Sequence, residues 1–364
     1  MKNAATGAGD RTNSARDAVF VDQRTDGPGV TRLDPADPAA PYYGLLARLR
    51  SPLTLRELMI ERVRTGYIGD GAPPDPSTLP PAAATLYPDV TVEEIAAPSN
   101  AGPIRCEVYA LPGQRRCGPV MLYLHGGGFT VGRSEDTAYI TSRFAAELGV
   151  VVVSVNYRLA PEWPFPAALD DAVAVYRWLR TGDTGIGDAG FVAVAGDSAG
   201  GNLAAALPLR LADDGLARPD AIVLMCPITD FVVERHESFE RLAPLGVIYD
   251  TAFVGFIRGA YLVRYRNWTH PHASPIYGDL AGYPPTVIVA GDADPVVDDN
   301  RAFAAALSAA GGEVGLHVAP EMPHGYYFFP RLLEAGEGAF AAIRAFIAPL
   351  LPEPVARRGG ATPS

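Results

Sequence analysis

Cysteine is scarce in this chain: Cys106, Cys117 and Cys226 are the only thiols in 364 residues. No two of them form a C-x-x-C pair and the count is odd, which excludes a zinc-ribbon spacing and a disulfide framework. Basic charge is also short, with 30 Lys and Arg against 41 Asp and Glu and a net charge of −11. Nucleic acid and anionic membrane surfaces need a basic footprint, so neither is an expected partner. No apolar stretch approaches the roughly 18 residues that cross a bilayer. The opening MKNAATGAGDRTNSARD has a lysine but no apolar run behind it, so a secretory signal is not expected and a cytoplasmic, soluble protein is. Internal repeats are absent.

The remainder is an ordinary globular composition, 48% hydrophobic and 20% charged, long enough for one large α/β domain with an accessory element. Residues 1–40, rich in Asp, Thr, Gly and Pro without apolar periodicity, read as a mostly disordered tail. Residues 41–85 read as N-terminal helices, with apolar residues at near-helical spacing from Tyr42 to Tyr67, followed by the proline-rich linker Gly71 to Pro81. Strands are expected at Val90–Ile95, Ile104–Ala110, Val120–Leu124, Val150–Val155, Phe191–Ala195, Ala221–Cys226, Thr286–Ala290 and Val314–Val318. Helices are expected at Asp136–Leu148, Ala167–Arg180, Ala199–Leu211, Asn300–Ala310 and Leu333–Leu350. Near-continuous β-branched strands interleaved with helices predict a mostly parallel eight-stranded sheet covered on both faces, with an antiparallel edge at Val90 to Ala110. The core would comprise 86–230 and 270–351, with a short tail at 352–364. The connection between them is too long for a crossover. It is crowded with aromatics, and 231–269 reads as a helical cap packing with the Tyr42–Tyr67 helices above the sheet.

Within this frame Phe191–Ala195 leads into Gly196-Asp197-Ser198-Ala199-Gly200-Gly201 and then a helix. Twelve serines and 38 glycines give about 0.13 G-x-S-x-G strings by chance, and the strand–turn–helix context lowers that further. Such a turn lifts a serine hydroxyl above the sheet edge, with glycines where side chains would clash. A serine needs a base, and the base needs a third group to hold its tautomer. On this turn the partners follow in the order Ser, Asp or Glu, His. Of the late histidines, His317 lies inside a strand, whereas His324 lies in the loop beyond it and is the expected base. The acid is sought in Gly291-Asp292-Ala293-Asp294-Pro295-Val296-Val297-Asp298-Asp299. Asp294 is preferred, Asp292 is the alternative, and Asp298 and Asp299 are expected to cap the next helix. The run Gly126-Gly127-Gly128 after an early strand offers bare backbone for an oxyanion, together with the amide of Ala199. It carries neither a GK[ST] nor a G-x-G-x-x-G pattern, so a phosphate loop is not expected there.

These stretches resemble the hormone-sensitive-lipase-like (bacterial family IV) carboxylesterases of the α/β-hydrolase superfamily. The resemblance rests on HGGGF (His125 to Phe129), Tyr157-Arg158-Leu159-Ala160-Pro161-Glu162, Phe165-Pro166-Ala167-Ala168, GDSAGGNLA (Gly196 to Ala204) and Ala273-Ser274-Pro275, in order over about Val120 to Phe328. It implies Ser198 as nucleophile, Asp294 as acid, His324 as base, and oxyanion donors at Gly127, Gly128 and Ala199. It also implies a helical cap and a small-molecule ester of short to medium chain as substrate. No metal or cofactor is implied, and a homodimer is left open. The stretch Tyr157 to Glu162 is expected to be structural. The alternatives on the same fold are a non-hydrolytic ligand-binding protein, a dehydratase, and an amidase or lactonase using the same triad.

Overall fold

The eight apolar runs form one sheet in the computed structural model, which describes residues 19–22, 29–32, 87–114, 118–182, 184–245, 249–328 and 334–352. The expected Tyr42–Tyr67 helices, the linker and Cys117 lie outside the described residues. Of the expected tail, only a hairpin pairing Val19–Asp22 with Gly29–Arg32 is described. In the main sheet the strands are β1 Thr91–Ala97, β2 Ile104–Ala110, β3 Pro119–Leu124, β4 Val151–Val155, β5 Asp188–Asp197, β6 Ala221–Met225, β7 Thr286–Gly291 and β8 Val314–Ala319. Their spatial order is β8-β7-β6-β5-β3-β4-β2-β1. Strands β3 to β8 run parallel, while β2 is antiparallel to both β1 and β4.

Position in the sheet explains the composition of each strand. The interior strands β4, β6 and β7 are buried along their whole length, so both side-chain faces must be apolar. Val120, Leu122 and Leu124 of β3 enter one core layer, and Met121 and Tyr123 enter the other, as a period of two requires. The edge strand β1 exposes its first four residues and there carries two glutamates.

Among the described residues, seven α-helices accompany the sheet: α1 Ala138–Leu148, α2 Ala167–Arg180, α3 Ala199–Asp213, α4 Glu237–Leu242, α5 Thr251–Ile257, α6 Val297–Ala309 and α7 Glu334–Ile347. Leu169, Leu203 and Phe303 place α2, α3 and α6 on one face of the sheet. Phe144 and Phe340 place α1 and α7 on the other. No helix among the described residues is long and apolar enough to cross a membrane.

The long connection after β6 folds into short helical turns, α4 and α5 among them, rather than a crossover. Its two ends meet at one side chain. The buried Ser274 hydroxyl accepts a hydrogen bond from the Phe231 amide (2.8 Å) and donates to the Trp268 carbonyl (2.5 Å). Asn202 of α3 donates to the Ile228 and Ala273 carbonyls, at 2.6 Å each, so the foot of the insertion is tied to the helix that follows Ser198.

Candidate active site

Ser198 stands between β5 and α3 with φ 52° and ψ −114°, a backbone conformation that few residues other than glycine adopt. The turn persists because its neighbours leave no alternative. A Cβ at Gly200 would lie 1.9 Å from the Leu124 carbonyl oxygen, and one at Gly196 would lie 2.3 Å from the Gly200 oxygen. The Ser198 amide donates to the Met225 carbonyl (2.8 Å). The turn that carries Ser198 is thereby wedged between the ends of β3 and β6.

The three glycines after β3 turn out to face the protein itself. Gly126 packs on Asp197, whose Oδ2 would be 2.2 Å from any Cβ there. Gly127 has φ 117°, and its carbonyl accepts from Thr130 and Val131 (3.1 Å each) in a tight turn. At Gly128 a Cβ would meet the Phe253 ring of α5 at 2.8 Å. Close packing against protein groups therefore explains each bare position, where the sequence reading looked only to substrate approach. Gly127 and Gly128 occupy the turn, and Ala199 opens α3 directly after Ser198.

The loops after β7 and β8 bring the two remaining residues to Ser198. His324 Nε2 lies 2.9 Å from Ser198 Oγ, and its Nδ1 lies 2.8 Å from Asp294 Oδ2. With the carboxylate on Nδ1, that nitrogen carries the proton and Nε2 is left to accept from the serine hydroxyl. Asp294 is fully buried and accepts the Val296 amide at 3.1 Å. Burial alone would lower the His324 pKa; the Asp294 charge and hydrogen bond, with a contribution from Asp197, reverse this and hold it above its ordinary value.

The rival carboxylates have other work. Asp292 accepts the Glu321 amide (2.5 Å) and so pins the loop that carries His324. Asp298 and Asp299, expected to cap α6, instead reach across to the chain after β6. Asp298 accepts the Ser238 amide (2.8 Å), and Asp299 accepts those of Thr229 (2.7 Å) and Asp230 (3.2 Å). His317 stays within β8. His125, ahead of the glycines, stacks on Tyr157 with ring centroids 4.2 Å apart. Burial drives its pKa down to about 4, so it is neutral. Arg158 pairs with Asp171 at 2.8 Å, a structural link as expected for this segment.

Asp197 has no part in the sequence reading, yet it joins the two loops. It is 1% exposed, and its Oδ1 accepts both the Gly126 amide (2.9 Å) and the Tyr123 hydroxyl (2.7 Å). The available signal was an acidic residue directly following an apolar strand, hence a carboxylate bound to be buried. Among the described residues, Cys226, Asp294 and His324 are the one grouping of three side chains able to hold a metal. Two of them already bond each other. Burial, and then the Asp294 charge, push the Cys226 thiol far above its ordinary range, so it is kept protonated and a poor ligand. The one G-x-G-x-x-G string, Gly185 to Gly190, runs into β5 instead of leading from a strand to a helix, so it lacks the helix N-terminus a dinucleotide needs.

Comparison with known proteins fits this geometry. The model of the α/β-hydrolase-fold family matches residues 121–328. An acetyl-hydrolase of Streptomyces hygroscopicus is 37% identical over 64% of this chain and 76% of its own length. An esterase of Mycobacterium tuberculosis is 34% identical over 72% of this chain and 84% of its own. An ethyl acetate hydrolase of Pseudomonas putida is 35% identical over 63% and 72% respectively. Among solved structures, the hyperthermophilic esterase of Pyrobaculum calidifontis superposes with a TM-score of 0.70 at 31% identity, covering 84% of this chain and 97% of its own. On these grounds the chain belongs to the α/β-hydrolase-fold family, within its hormone-sensitive-lipase-like carboxylesterases, and is a carboxylic ester hydrolase.

Proposed function

We propose that Ser198 is the nucleophile, His324 the general base and Asp294 the acid that orients it, acting on small-molecule esters of short to medium chain. The observation that carries this reading is the continuous contact from Asp294 Oδ2 through both His324 nitrogens to Ser198 Oγ, at 2.8 and 2.9 Å. Ser198 Oγ attacks the ester carbonyl carbon while His324 takes its proton, and the carbonyl electron pair moves onto oxygen. The amides of Gly127, Gly128 and Ala199 receive that oxyanion, one such donor being worth about 3 kcal/mol. Collapse expels the alcohol, protonated by His324, and leaves an acyl-serine. Water, deprotonated by the same imidazole, attacks the acyl carbon and releases the acid. These steps call on no metal or cofactor.

The preference for short chains is supported by the relatives named for acetyl and ethyl acetate hydrolysis. The Phe253 ring and Ile257 side chain lie against Gly128, closing the space beside the proposed oxyanion turn. We take 231–269 as the cap over this space. The free, buried Cys106 and Cys226 suit a reducing, cytoplasmic setting.

The test is turnover of p-nitrophenyl esters from acetate to long acyl chains. The expected result is a maximum at short to medium length, with a burst of p-nitrophenol, and a loss of roughly 10⁵-fold in Ser198→Ala. Ligand binding without burst or turnover by the wild type would overturn it in favour of a non-hydrolytic binder.

A further inference from the structure

We propose that Asp197 is a positioning residue that holds the oxyanion loop in register with the nucleophile turn. This rests on the reading of Ser198 and the loop amides given above. Strands β3 and β5 are neighbours, with Leu124 opposite Gly196, so their outgoing loops emerge side by side. No ladder hydrogen bond continues past that point to fix one loop against the other. Asp197 supplies the missing tie. It directly precedes Ser198, and its Oδ1 accepts from the Gly126 amide at 2.9 Å and the Tyr123 hydroxyl at 2.7 Å.

The tie sets position in two ways. Gly126 is the residue before Gly127 and Gly128, so its amide anchors the start of the turn that presents both. Tyr123 fixes the carboxylate itself from within β3, which keeps the anchor from swinging with the loop. Displacing catalytic groups by about 1 Å can cost about 10²-fold in rate. The carboxylate also acts through charge. Its charge adds to the rise in the His324 pKa, behind the larger influence of Asp294.

Three variants separate these roles. Asp197→Asn keeps an oxygen acceptor for both donors and removes only the charge. Its kcat should stay within about threefold of wild type, while the acid limb of kcat/KM moves to lower pH. Asp197→Ala removes the anchor. Its kcat should fall about 10²-fold with KM changed by less than about threefold. Its inhibition constant for a trifluoromethyl ketone should rise by the same factor as kcat falls. That ketone adds Ser198 Oγ to its carbonyl, passes the serine proton to His324 and leaves an oxyanion in the loop. Tyr123→Phe should give a smaller loss, a few-fold, in both kcat and ketone affinity.

Unchanged kcat and ketone affinity in Asp197→Ala and Tyr123→Phe would overturn the proposal, as would losses confined to folded yield. If Asp197→Ala does not fold, the other two decide: an unmoved acid limb together with unchanged ketone affinity overturns it. Failure of the underlying reading looks different, because Ser198→Ala would then bind the ketone as tightly as wild type.

Discussion

His324 sits where burial and charge oppose each other, and on the proposed mechanism the outcome sets the pH range of activity. Its pKa is held above the ordinary 6.5 because the attraction of Asp294 outweighs desolvation. Only the neutral imidazole accepts the Ser198 proton. Activity should therefore be full above the raised pKa and fall as pH drops through it, placing the acid limb of kcat/KM above pH 6.5. Replacing Asp294 with Asn removes the main raising influence. The limb should move to lower pH, while kcat drops by about 10⁴-fold because the Nδ1 proton is no longer held in place. A pH profile of both proteins checks the two effects independently. A limb that stays put in Asp294→Asn would mean that the carboxylate does not face the base in solution.

At the scale of elements, a glycine of the turn at Ser198 differs sharply from one exposed on a helix. Gly200 is enclosed by the carbonyls of Leu124 and His125, at 1.9 and 2.5 Å from a built Cβ. Gly200→Ala should cost about 3 kcal/mol and most of the activity, since the turn must open to admit the methyl group. Gly255, exposed in α5, has nothing within 4 Å of a built Cβ. Gly255→Ala should stabilise by about 0.5–1 kcal/mol. Denaturation midpoints of the pair test whether close approach, and not glycine content as such, governs these sites. Elements are also where the sequence was most legible. Each expected strand and helix of the core is present with ends shifted by a few residues, because apolar periodicity reports burial on one face or two. Asp298 and Asp299 were misread because their position at the start of α6 suggested capping of their own helix. Their partners, Ser238, Thr229 and Asp230, are about 60 to 70 residues away, and local spacing carries no trace of them.

For the molecule as a whole, Ser274 ties together the two ends of the insertion after β6, through the Phe231 amide and the Trp268 carbonyl. Ser274→Ala would strand the Phe231 amide and the Trp268 carbonyl, at a cost of about 2 kcal/mol. Loosening the insertion should raise KM more than it lowers kcat, because the Ser274 hydroxyl bonds the Phe231 amide and the Trp268 carbonyl and none of the proposed triad. Thermal denaturation and steady-state kinetics on one short ester measure both, and a loss confined to kcat would contradict this picture.

The order of the proposed triad, Ser198, Asp294 and His324, each beyond a strand, is legible in sequence alone, because the turn glycines, strand ends and loop positions are local properties. Sequence preferred Asp294 to Asp292, and the contacts that distinguish them belong to the folded chain, which turns one carboxyl to His324 and the other to the Glu321 amide. The link from Asp197 to Tyr123 and Gly126 likewise exists only once β3 lies beside β5, 74 and 71 residues apart in sequence. Contacts of that separation depend on which strands become neighbours, a property of the whole sheet that no short stretch encodes.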